Sequence, residues 1–508
     1  MLARTNLLLP LLASSARAAL QVDLESASSI KAAARQVAYD LMTYYHGNES
    51  GQIPGILPGP PPAGDYYWWE GGALWGTMID YWHYTGDETY NEVTTEAMLF
   101  QTGAPQNAYM PRNWTASLGN DDQGFWGMSA MLAAEVNYPN PPVGQPQWLE
   151  LAQAVFNTQA APERHDTVCG GGLRWQIPLA NTGYDYKNSI ANGIFFNLGA
   201  RLARYTGNQT YSDWAERTWD WMMGVGLMDD EGNVYDGAHT GDNCTDVFKA
   251  QFSYNAAVFM QGAAFMYNIT TGDAQSTWRD RLTRLMNRTI DVFFYTGPMV
   301  EVSCELDDRI MCKTDMLSFK GYAHRWMANT AQLAPFSHDV ILGALKTSTA
   351  AAARSCAGGD YGRQCGFRWT TGGYDGLTGA GQAMSALAAL TSLLVDEDDV
   401  GGPVTNGTGG TSRGDADAGR DPNPDLGREV LGPVRIRDRV GAGVLTFLVM
   451  MGLVGAMVWM CSEWGEGEGE GKAESLPVVG IATIVGVAVG GRKMGEMGKG
   501  KRVMILEK

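Results

Sequence analysis

Two neighbouring aspartates, Asp121 and Asp122, are the residues of this sequence best placed to do chemistry together. They stand in the aromatic-rich stretch LGNDDQGFWG, residues 118–127. A structural explanation is available: Asn120 can act as a helix N-cap, Gln123 completes a capping box, and acidic groups in the first turn suit the helix dipole. A catalytic role must therefore agree with the geometry of a helix start.

Two close carboxyl groups are what retaining glycoside hydrolysis requires. One carboxylate attacks the anomeric carbon and the other protonates the leaving oxygen, with the two groups about 5–5.5 Å apart. Repulsion between them keeps one acid protonated while the other stays ionised. Adjacent residues where a loop enters a helix can aim both carboxyls into one cleft, so the capping and catalytic interpretations can hold together.

Other chemistries find less support in the sequence. It contains no HExxH, CxxC, GxxxxGK or GxSxG motif and no calcium-loop spacing. The six histidines are scattered, so we expect no metal and no cofactor. The formal net charge of −18 argues against a nucleic-acid partner, because no basic surface would neutralise phosphates.

Helical hairpins are the elements that must position the aspartate pair. Three stretches resemble one another: YWHYTGDETYNEV (81–93), ARYTGNQTYSDWA (203–215) and YNITTGDAQSTWRD (267–280). In each, Thr-Gly ends a helix, and the next polar residue (Asp87, Asn208 or Asp273) can cap the following one. The spacing gives about six hairpins over residues 20–395. We expect an all-α fold, an (α/α)6 barrel with buried inner helices; an open solenoid is the alternative.

The N-terminal residues indicate secretion. Residues 1–19 combine a basic residue, an apolar run and small residues, which is typical of a cleaved signal peptide. The sequence also contains N-x-S/T sequons, the acceptor signals for N-glycosylation in the secretory pathway. The seven candidate sites are Asn48, Asn113, Asn208, Asn243, Asn268, Asn287 and Asn406.

Six of the seven cysteines lie before residue 370, and Cys461 stands apart. An even number in a secreted domain suggests disulfide bonds. Two pairs would close short loops, which leaves one long-range pair. The expected disulfides are Cys304–Cys312, Cys356–Cys365 and Cys169–Cys244.

The composition changes after residue 395. Residues 396–439 are poor in large apolar side chains and are expected to form a disordered linker. Residues 440–461 are an apolar run of membrane-spanning length, either a transmembrane helix or the remnant of a GPI-type signal. Residues 462–508 form a low-complexity tail. We expect membrane attachment through the apolar run, with the preceding domain extracytoplasmic, at the plasma membrane or cell wall.

Seven stretches between about residues 25 and 395 carry a resemblance to a known family. They are YYWWEGGALWG (66–76), NDDQGFWGMSAMLAAE (120–135), GGLRWQI (171–177), YKNSIANGIFF (186–196), FSYNAAVFMQGAA (252–264), FKGYAHRW (319–326) and TTGGYDGLTGAGQAMSAL (370–387). The sequence resembles glycoside hydrolase family 76, in particular its fungal cell-wall branch. The combination of NDDQ with the upstream WWE is the most specific part of this resemblance.

The resemblance implies an (α/α)6 barrel and a retaining, endo-acting α-1,6-mannosidase. It assigns Asp121 as the nucleophile and Asp122 as the general acid/base. It also implies substrate-binding roles for Trp69, Glu70, Gln123, Trp126, Trp175, Tyr254, Asn255, Lys320 and Asp375. Structural roles compete with these: core stacking for Trp126 and Trp175, capping or solvation for Glu70 and Asp375, and a water-facing position for Lys320.

The leading interpretation is an extracytoplasmic glycosidase or transglycosidase that acts on α-1,6-linked mannose in cell-wall mannan or GPI glycans. One alternative is a non-catalytic glycan-binding scaffold on the same barrel. Another is a different α/α-barrel carbohydrate enzyme, such as an inverting hydrolase. An intact aspartate pair argues against the scaffold, because a lectin has no need of two close carboxylates.

Overall fold

The computed structural model describes residues 19–306, 309–360, 362–398, 400–420 and 436–462. Nearly all of the predicted signal peptide and of the C-terminal tail therefore lies outside the described residues. Twelve α-helices lie between residues 27 and 391 of the described part. They are α1 (Ala27–Met42), α2 (Trp68–Thr85), α3 (Asn91–Phe100), α4 (Asn120–Glu135), α5 (Trp148–Gln159), α6 (Ser189–Thr206), α7 (Gln209–Gly224), α8 (Ser253–Ile269), α9 (Gly272–Phe293), α10 (Phe319–Leu333), α11 (His338–Ser355) and α12 (Ala380–Thr391).

The even-numbered helices form a closed inner ring. Each of α2, α4, α6, α8, α10 and α12 packs against the next, and α12 returns to pack against α2. The odd-numbered helices lie outside this ring: α3 packs on α2, α5 on α4 and α6, α7 on α6, α9 on α8, and α11 on α10 and α12. Helix α1 covers α12 and α2. Closure of the ring confirms the predicted barrel and excludes the open solenoid.

Small residues let neighbouring inner helices approach closely. A Cβ added to Gly72 of α2 would lie 2.8 Å from the Trp126 ring of α4, and one added to Gly124 would lie 2.6 Å from Ile194 of α6. Contacts that short do not occur in close-packed interiors. Glycine therefore allows large side chains of one inner helix to pack directly on the backbone of the next.

A small antiparallel sheet lies just before α6. Strand β1 (Tyr186–Asn188) pairs with β2 (Gly237–His239), which in turn pairs with β3 (Val247–Phe248). The register places Lys187 opposite Ala238. Strands of two or three residues are too short to show alternation in a sequence, so this sheet was not expected.

All three predicted disulfides are confirmed. Cys169–Cys244 joins the loop before β1 to the β2–β3 hairpin. The other two close short loops before α10 and after α11, and they are Cys304–Cys312 and Cys356–Cys365. The long-range bond connects two consecutive hairpin units at the end of the barrel where α6 begins.

Two of the three Thr-Gly turns end helices as predicted, whereas Gly272 of the third is the first residue of α9; only one of the three proposed caps is correct. Gly86 and Gly207 adopt left-handed conformations directly after α2 and α6. Asn208 caps α7 by accepting a hydrogen bond from a backbone N–H. Asp87 does not cap α3, because that helix begins four residues later, and Asp273 lies inside α9.

Residues 400–420, called the strap below, differ from the predicted disordered linker. The N–H of Val404 donates to the carbonyl of Glu135 at 2.8 Å, and the N–H of Asn406 donates to the carbonyl of Tyr205 at 3.0 Å. The strap thus satisfies carbonyls at the C-terminal ends of α4 and α6 that no intrahelical donor reaches. The linker prediction is wrong for these residues; residues 421–435 lie outside the described residues.

Helix α13 (Ile436–Ser462) covers the predicted membrane segment. Across the residues that the structure describes, no helix combines the length and apolar character that crossing a membrane requires. The predicted transmembrane helix at residues 440–461 is therefore not found among the described residues.

Candidate active site

The inner helices begin at one end of the ring, called the site end below. Asn188 just before α6 donates through Nδ2 to Oδ2 of Asp121 in α4 at 3.4 Å. The ring of Tyr254 at the start of α8 stacks on Phe319 at the start of α10, with centroids 3.7 Å apart. Side chains from the first turns of four inner helices therefore meet at this end.

Backbone and side chain cooperate to hold the aspartate pair. The N–H of Gly119 donates to Asp122 Oδ2 at 2.7 Å, and the N–H of Asp122 donates to Asp121 Oδ1 at 3.0 Å. Gly119 is the N-cap, and the Asp122 side chain at the third helical position accepts from its N–H; this is half of a capping box, because glycine has no side chain to supply the other half. The predicted cap, Asn120 with Gln123, is wrong by one position, because the helix begins at Asn120 itself.

The two carboxyl groups are close together. A Cβ built on Gly119 would lie 2.2 Å from Asp121 Oδ1 and 3.2 Å from Asp122 Oδ2. These two oxygens are therefore at most about 5.4 Å apart, the sum of those distances. Both aspartates keep a small exposed fraction, 9% and 8%. Within the described residues, the other oxygen of Asp122 accepts no protein hydrogen bond.

Asn120, the residue before the pair, is fixed from three directions. Its N–H donates to the Trp175 carbonyl and its Nδ2 to the Arg174 carbonyl, both at 2.8 Å. Its Oδ1 accepts from Arg164 Nη1 at 2.6 Å, and its carbonyl accepts from Gln159 Nε2 at 2.7 Å. Burial lowers the pKa of Arg164 to about 10, which leaves the guanidinium charged at neutral pH. The first turn of α4 is therefore held rigidly.

Aromatic side chains surround the pair. The Trp69 ring lies 4.4 Å from Phe125 and 5.9 Å from Tyr322. Trp175 and Tyr254 are partly exposed. Burial raises the pKa of Tyr254 well above its usual value, and the nearby charges of Asp236 and Asp121 add to the effect. Flat rings beside carboxylates suit a sugar, whose C–H faces stack on them.

A third carboxyl group, Asp236, belongs to the same region and was not predicted. Its Oδ2 accepts a hydrogen bond from the Tyr186 hydroxyl at 2.7 Å. Burial raises its pKa to about 6, against the lowering effect of that hydrogen bond. Asp236 and Asn188 lie far from the aspartate pair in the chain. No quoted stretch contains Asp236, and Asn188 lies within YKNSIANGIFF but was not singled out as a site residue.

Five predicted substrate-binding residues, Glu70, Gln123, Trp126, Asn255 and Lys320, are fully buried. Trp126 stacks on neighbouring aromatic rings in the core, as its structural interpretation expected. Glu70 accepts from a backbone N–H at the start of α2 at 2.8 Å, which is a capping contact. Gln123 donates to the Ala108 carbonyl at 2.7 Å. These buried side chains therefore contact other protein groups and help to hold the site in place.

Lys320 and Asp375 also hold structure. Lys320 forms a 2.7 Å ion pair with Glu305 and donates to the Phe367 carbonyl at 2.8 Å. The water-facing position expected for Lys320 is wrong. Asp375 accepts from the N–H groups of Phe367 and Arg368. Of the predicted binding residues, Trp175, Tyr254 and Asp375 are partly exposed, and Trp69 is nearly buried.

The family model described as glycosyl hydrolase family 76 matches residues 29–406. The chain belongs to this family. It is therefore a glycoside hydrolase, and the matched region includes the barrel from the first turn of α1 onward, together with the first residues of the strap.

Several related proteins share most of their length with this family 76 chain. Mannan endo-1,6-alpha-mannosidase DCW1 of Saccharomyces cerevisiae is 44% identical, over 87% of this chain and 95% of that protein. Mannan endo-1,6-alpha-mannosidase DFG5 of the same yeast is 40% identical, over 87% and 94%. The aligned regions, 446 and 445 residues long, are both longer than the barrel.

Solved structures also resemble this family 76 barrel. Dfg5 from Chaetomium thermophilum, in complex with glucosamine, has a TM-score of 0.75 and 56% identity, covering 78% of this chain and 97% of that one. An inactive variant of a Salegentibacter α-1,6-mannanase, in complex with α-1,6-mannotriose, has a TM-score of 0.57, covering 72% and 99%. At 14% identity, the second likeness shows the fold alone.

Proposed function

We propose that this protein is a retaining, endo-acting α-1,6-mannosidase in which Asp121 and Asp122 perform the reaction. The observation that carries the proposal is the spacing of the pair: two carboxylate oxygens at most about 5.4 Å apart at an accessible helix start. Carboxyls roughly 5–5.5 Å apart are typical of retaining enzymes, whereas inverting enzymes keep theirs roughly 6.5–9.5 Å apart to admit a water.

The hydrogen bonds support different roles for the two aspartates. Both oxygens of Asp121 accept hydrogen bonds, from the Asp122 N–H and from Asn188. Such donors favour an ionised carboxylate, as does the positive end of the α4 dipole. Asp122 has one oxygen held by Gly119 and the other without a protein donor in the described part. That second oxygen can carry the proton for the leaving group.

The reaction then proceeds in two steps. An Asp121 oxygen bonds to the anomeric carbon as the glycosidic C–O bond breaks, and Asp122 gives its proton to the leaving oxygen. Next, Asp122 removes a proton from water, the water oxygen bonds to the anomeric carbon, and Asp121 is released. A sugar hydroxyl in place of that water gives transfer instead of hydrolysis, so the same pair serves a mannosidase or a transglycosidase.

The substrate is proposed from the relatives together with the site. The curated relatives are named mannan endo-1,6-alpha-mannosidases. Trp175 and Tyr254 are partly exposed aromatic residues of the kind on which a mannose ring can stack. Mannose of cell-wall mannan and mannose of GPI glycans both provide α-1,6 linkages, and we propose one of these as the natural substrate.

An extracytoplasmic location at the fungal cell wall agrees with this activity. The three disulfides persist in an oxidising compartment and are rare in the cytosol. All seven sequon asparagines are exposed, as glycosylation requires. We propose that the folded barrel is a secreted glycoprotein acting in the wall.

The test is a product analysis with the purified protein. Labelled α-1,6-mannooligosaccharides should be cleaved internally, and proton NMR should show the α-anomer formed first. Products longer than the substrate would identify transfer, and a GPI-type glycan offered in competition would rank the two substrates. A β-anomer formed first would contradict the retaining mechanism. Mannoside binding without turnover would favour the glycan-binding scaffold.

Substitution of the pair provides the second test. Asp121→Asn and Asp122→Asn should each lower kcat by roughly 100-fold or more, because acid–base or nucleophilic assistance is lost. Asp185→Asn is the matched control, since Asp185 is an exposed aspartate of the loop before β1. A folded Asp121→Asn protein with normal kcat would refute the assignment.

A further inference from the structure

We propose that Gly119 is a positioning residue for both catalytic carboxylates, an inference that rests on the proposed function. Its N–H holds Asp122, and its missing side chain leaves the space that the Asp121 carboxylate occupies. Gly119 precedes α4 and touches no substrate in this proposal. It acts through the two aspartates that follow it.

The backbone of Gly119 does not itself require glycine. Its φ of −90° and ψ of 161° are an extended conformation that any residue adopts. The need for glycine at this position is therefore one of space, and the neighbouring atoms show which group fills it.

The space beside Gly119 belongs to the Asp121 carboxylate. An added Cβ would lie 2.2 Å from Asp121 Oδ1, which is far inside van der Waals contact. The next neighbours, the Trp175 carbonyl at 3.1 Å and Asp122 Oδ2 at 3.2 Å, are tight but tolerable. Relief of the severe contact requires movement of Asp121 Oδ1, away from the Asp122 N–H that now holds it at 3.0 Å.

Gly119 itself has little freedom to retreat. Its backbone forms an antiparallel bridge with Gln176, and the following residue donates to the Trp175 carbonyl at 2.8 Å. The carboxylate of Asp121, in contrast, is the end of a side chain with two rotatable bonds. A methyl group at position 119 should therefore displace the carboxylate and leave the fold in place.

Gly119→Ala tests this inference through kinetics. We expect kcat on α-1,6-mannooligosaccharides to fall by about 100-fold, since a displacement near 1 Å costs that much, with KM little changed. The acidic limb of the pH–rate profile should move to higher pH, because the ionised Asp121 loses a donor. If the wild-type enzyme is active and the Gly119→Ala variant has the same kcat, the proposal is overturned.

Gly76→Ala is the matched control. Gly76 lies in the middle of α2, where an added Cβ would meet the ends of other side chains, Ser129 Oγ at 2.4 Å and Arg325 Nη2 at 2.9 Å. This variant introduces an equally severe contact away from the aspartate pair. It should lose stability and keep kcat, which separates a positioning effect from general damage to the barrel.

A double-mutant cycle tests the same contact without any activity. The stability cost of Gly119→Ala should be smaller in an Asp121→Ala background, because the carboxylate that the methyl group displaces is gone. Equal costs in both backgrounds would overturn the inference, even if Gly119→Ala alone folds poorly. Absence of mannosidase activity in the wild type would instead refute the proposed function, while this cycle would still decide the role of Gly119.

Discussion

Helix α4 carries carboxyl groups at both ends, Asp121 and Asp122 in its first turn and Glu135 at its last position. The first two are held by neutral donors, backbone N–H groups and the Asn188 amide, and keep some exposure. Glu135 is held by the Arg201 guanidinium, with Oε2 accepting from Nε at 3.0 Å and Nη2 at 2.6 Å. Both partners of that ion pair are buried.

The difference shows how one barrel separates reactivity from stability. A carboxylate held by neutral donors keeps a reactive oxygen and can still change its protonation state. A carboxylate locked in a buried ion pair is shielded from solvent and from substrate. Burial raises the pKa of Glu135, and Arg201 opposes that rise. A second buried pair, Asp80 with Arg325, joins α2 to α10, two inner helices separated by α12 in the ring.

The largest predicted effect comes from breaking the ion pair between Glu135 of α4 and Arg201. Arg201→Met should lower the free energy of unfolding by about 3–5 kcal/mol, because Glu135 remains buried without its partner. Urea unfolding measures this loss, and activity per folded molecule should stay close to that of the wild type. Arg284→Met, on the exposed side of α9, is the control and should be nearly neutral.

The double variant Glu135→Gln with Arg201→Met sharpens this prediction. Replacement of both partners leaves no uncompensated charge, so part of the lost stability should return. If Arg201→Met alone costs less than about 1 kcal/mol, the ion pair does not stabilise the C-terminal end of α4 in the way its burial indicates.

The second prediction concerns the site end, where burial raises the pKa of Asp236 to about 6. The folded protein favours the protonated form, so Asp236 stabilises the fold at low pH, and this contribution is lost as the pH rises through 6. Asp236→Asn should therefore become more stable relative to wild type by roughly 2 kcal/mol between pH 4 and 8, at 1.36 kcal/mol per unit and allowing for partial exposure.

Unfolding curves of wild type and Asp236→Asn at several pH values measure the difference in unfolding free energy between the two proteins. The contributions of the other titrating groups, which both proteins share, largely cancel in this difference. Asp213→Asn, on the exposed side of α7, is the control and should show a difference that does not depend on pH. If the difference in unfolding free energy between Asp236→Asn and wild type also does not depend on pH, the Asp236 carboxylate is solvated in the folded protein and not buried against Tyr186.

The sequence predicted those parts of the site that depend on neighbours in the chain. Adjacent Asp121 and Asp122 at a helix start, and Thr-Gly turns between hairpins, are local patterns. Asp236 and Asn188 escaped prediction because the sheet and the Cys169–Cys244 bond bring their segments to α4 from far along the chain. Local periodicity contains no information about such contacts.

The sequence also did not predict which polar residues are buried. Lys320 is fully buried because Glu305 and the Phe367 carbonyl reach it from two separate loops. The strap was mistaken for a linker because its small polar residues are typical of flexible chain. In the structure those residues bond to helix ends, and composition cannot distinguish a polar residue that faces water from one that caps a helix.

The smallest predicted effect tests the strap. Ser412 Oγ accepts from the N–H of Leu149 at 2.9 Å and so supplies a cap to the first turn of α5 from outside that helix. Ser412→Ala should cost about 1 kcal/mol of unfolding free energy, the usual value of a lost cap, with kcat unchanged. Ser212→Ala on the exposed face of α7 is the control. If Ser412→Ala does not change the unfolding free energy, the strap merely lies on the barrel. The predicted loss of unfolding free energy would instead show that residues 400–420 stabilise the molecule, away from the reactive end of α4.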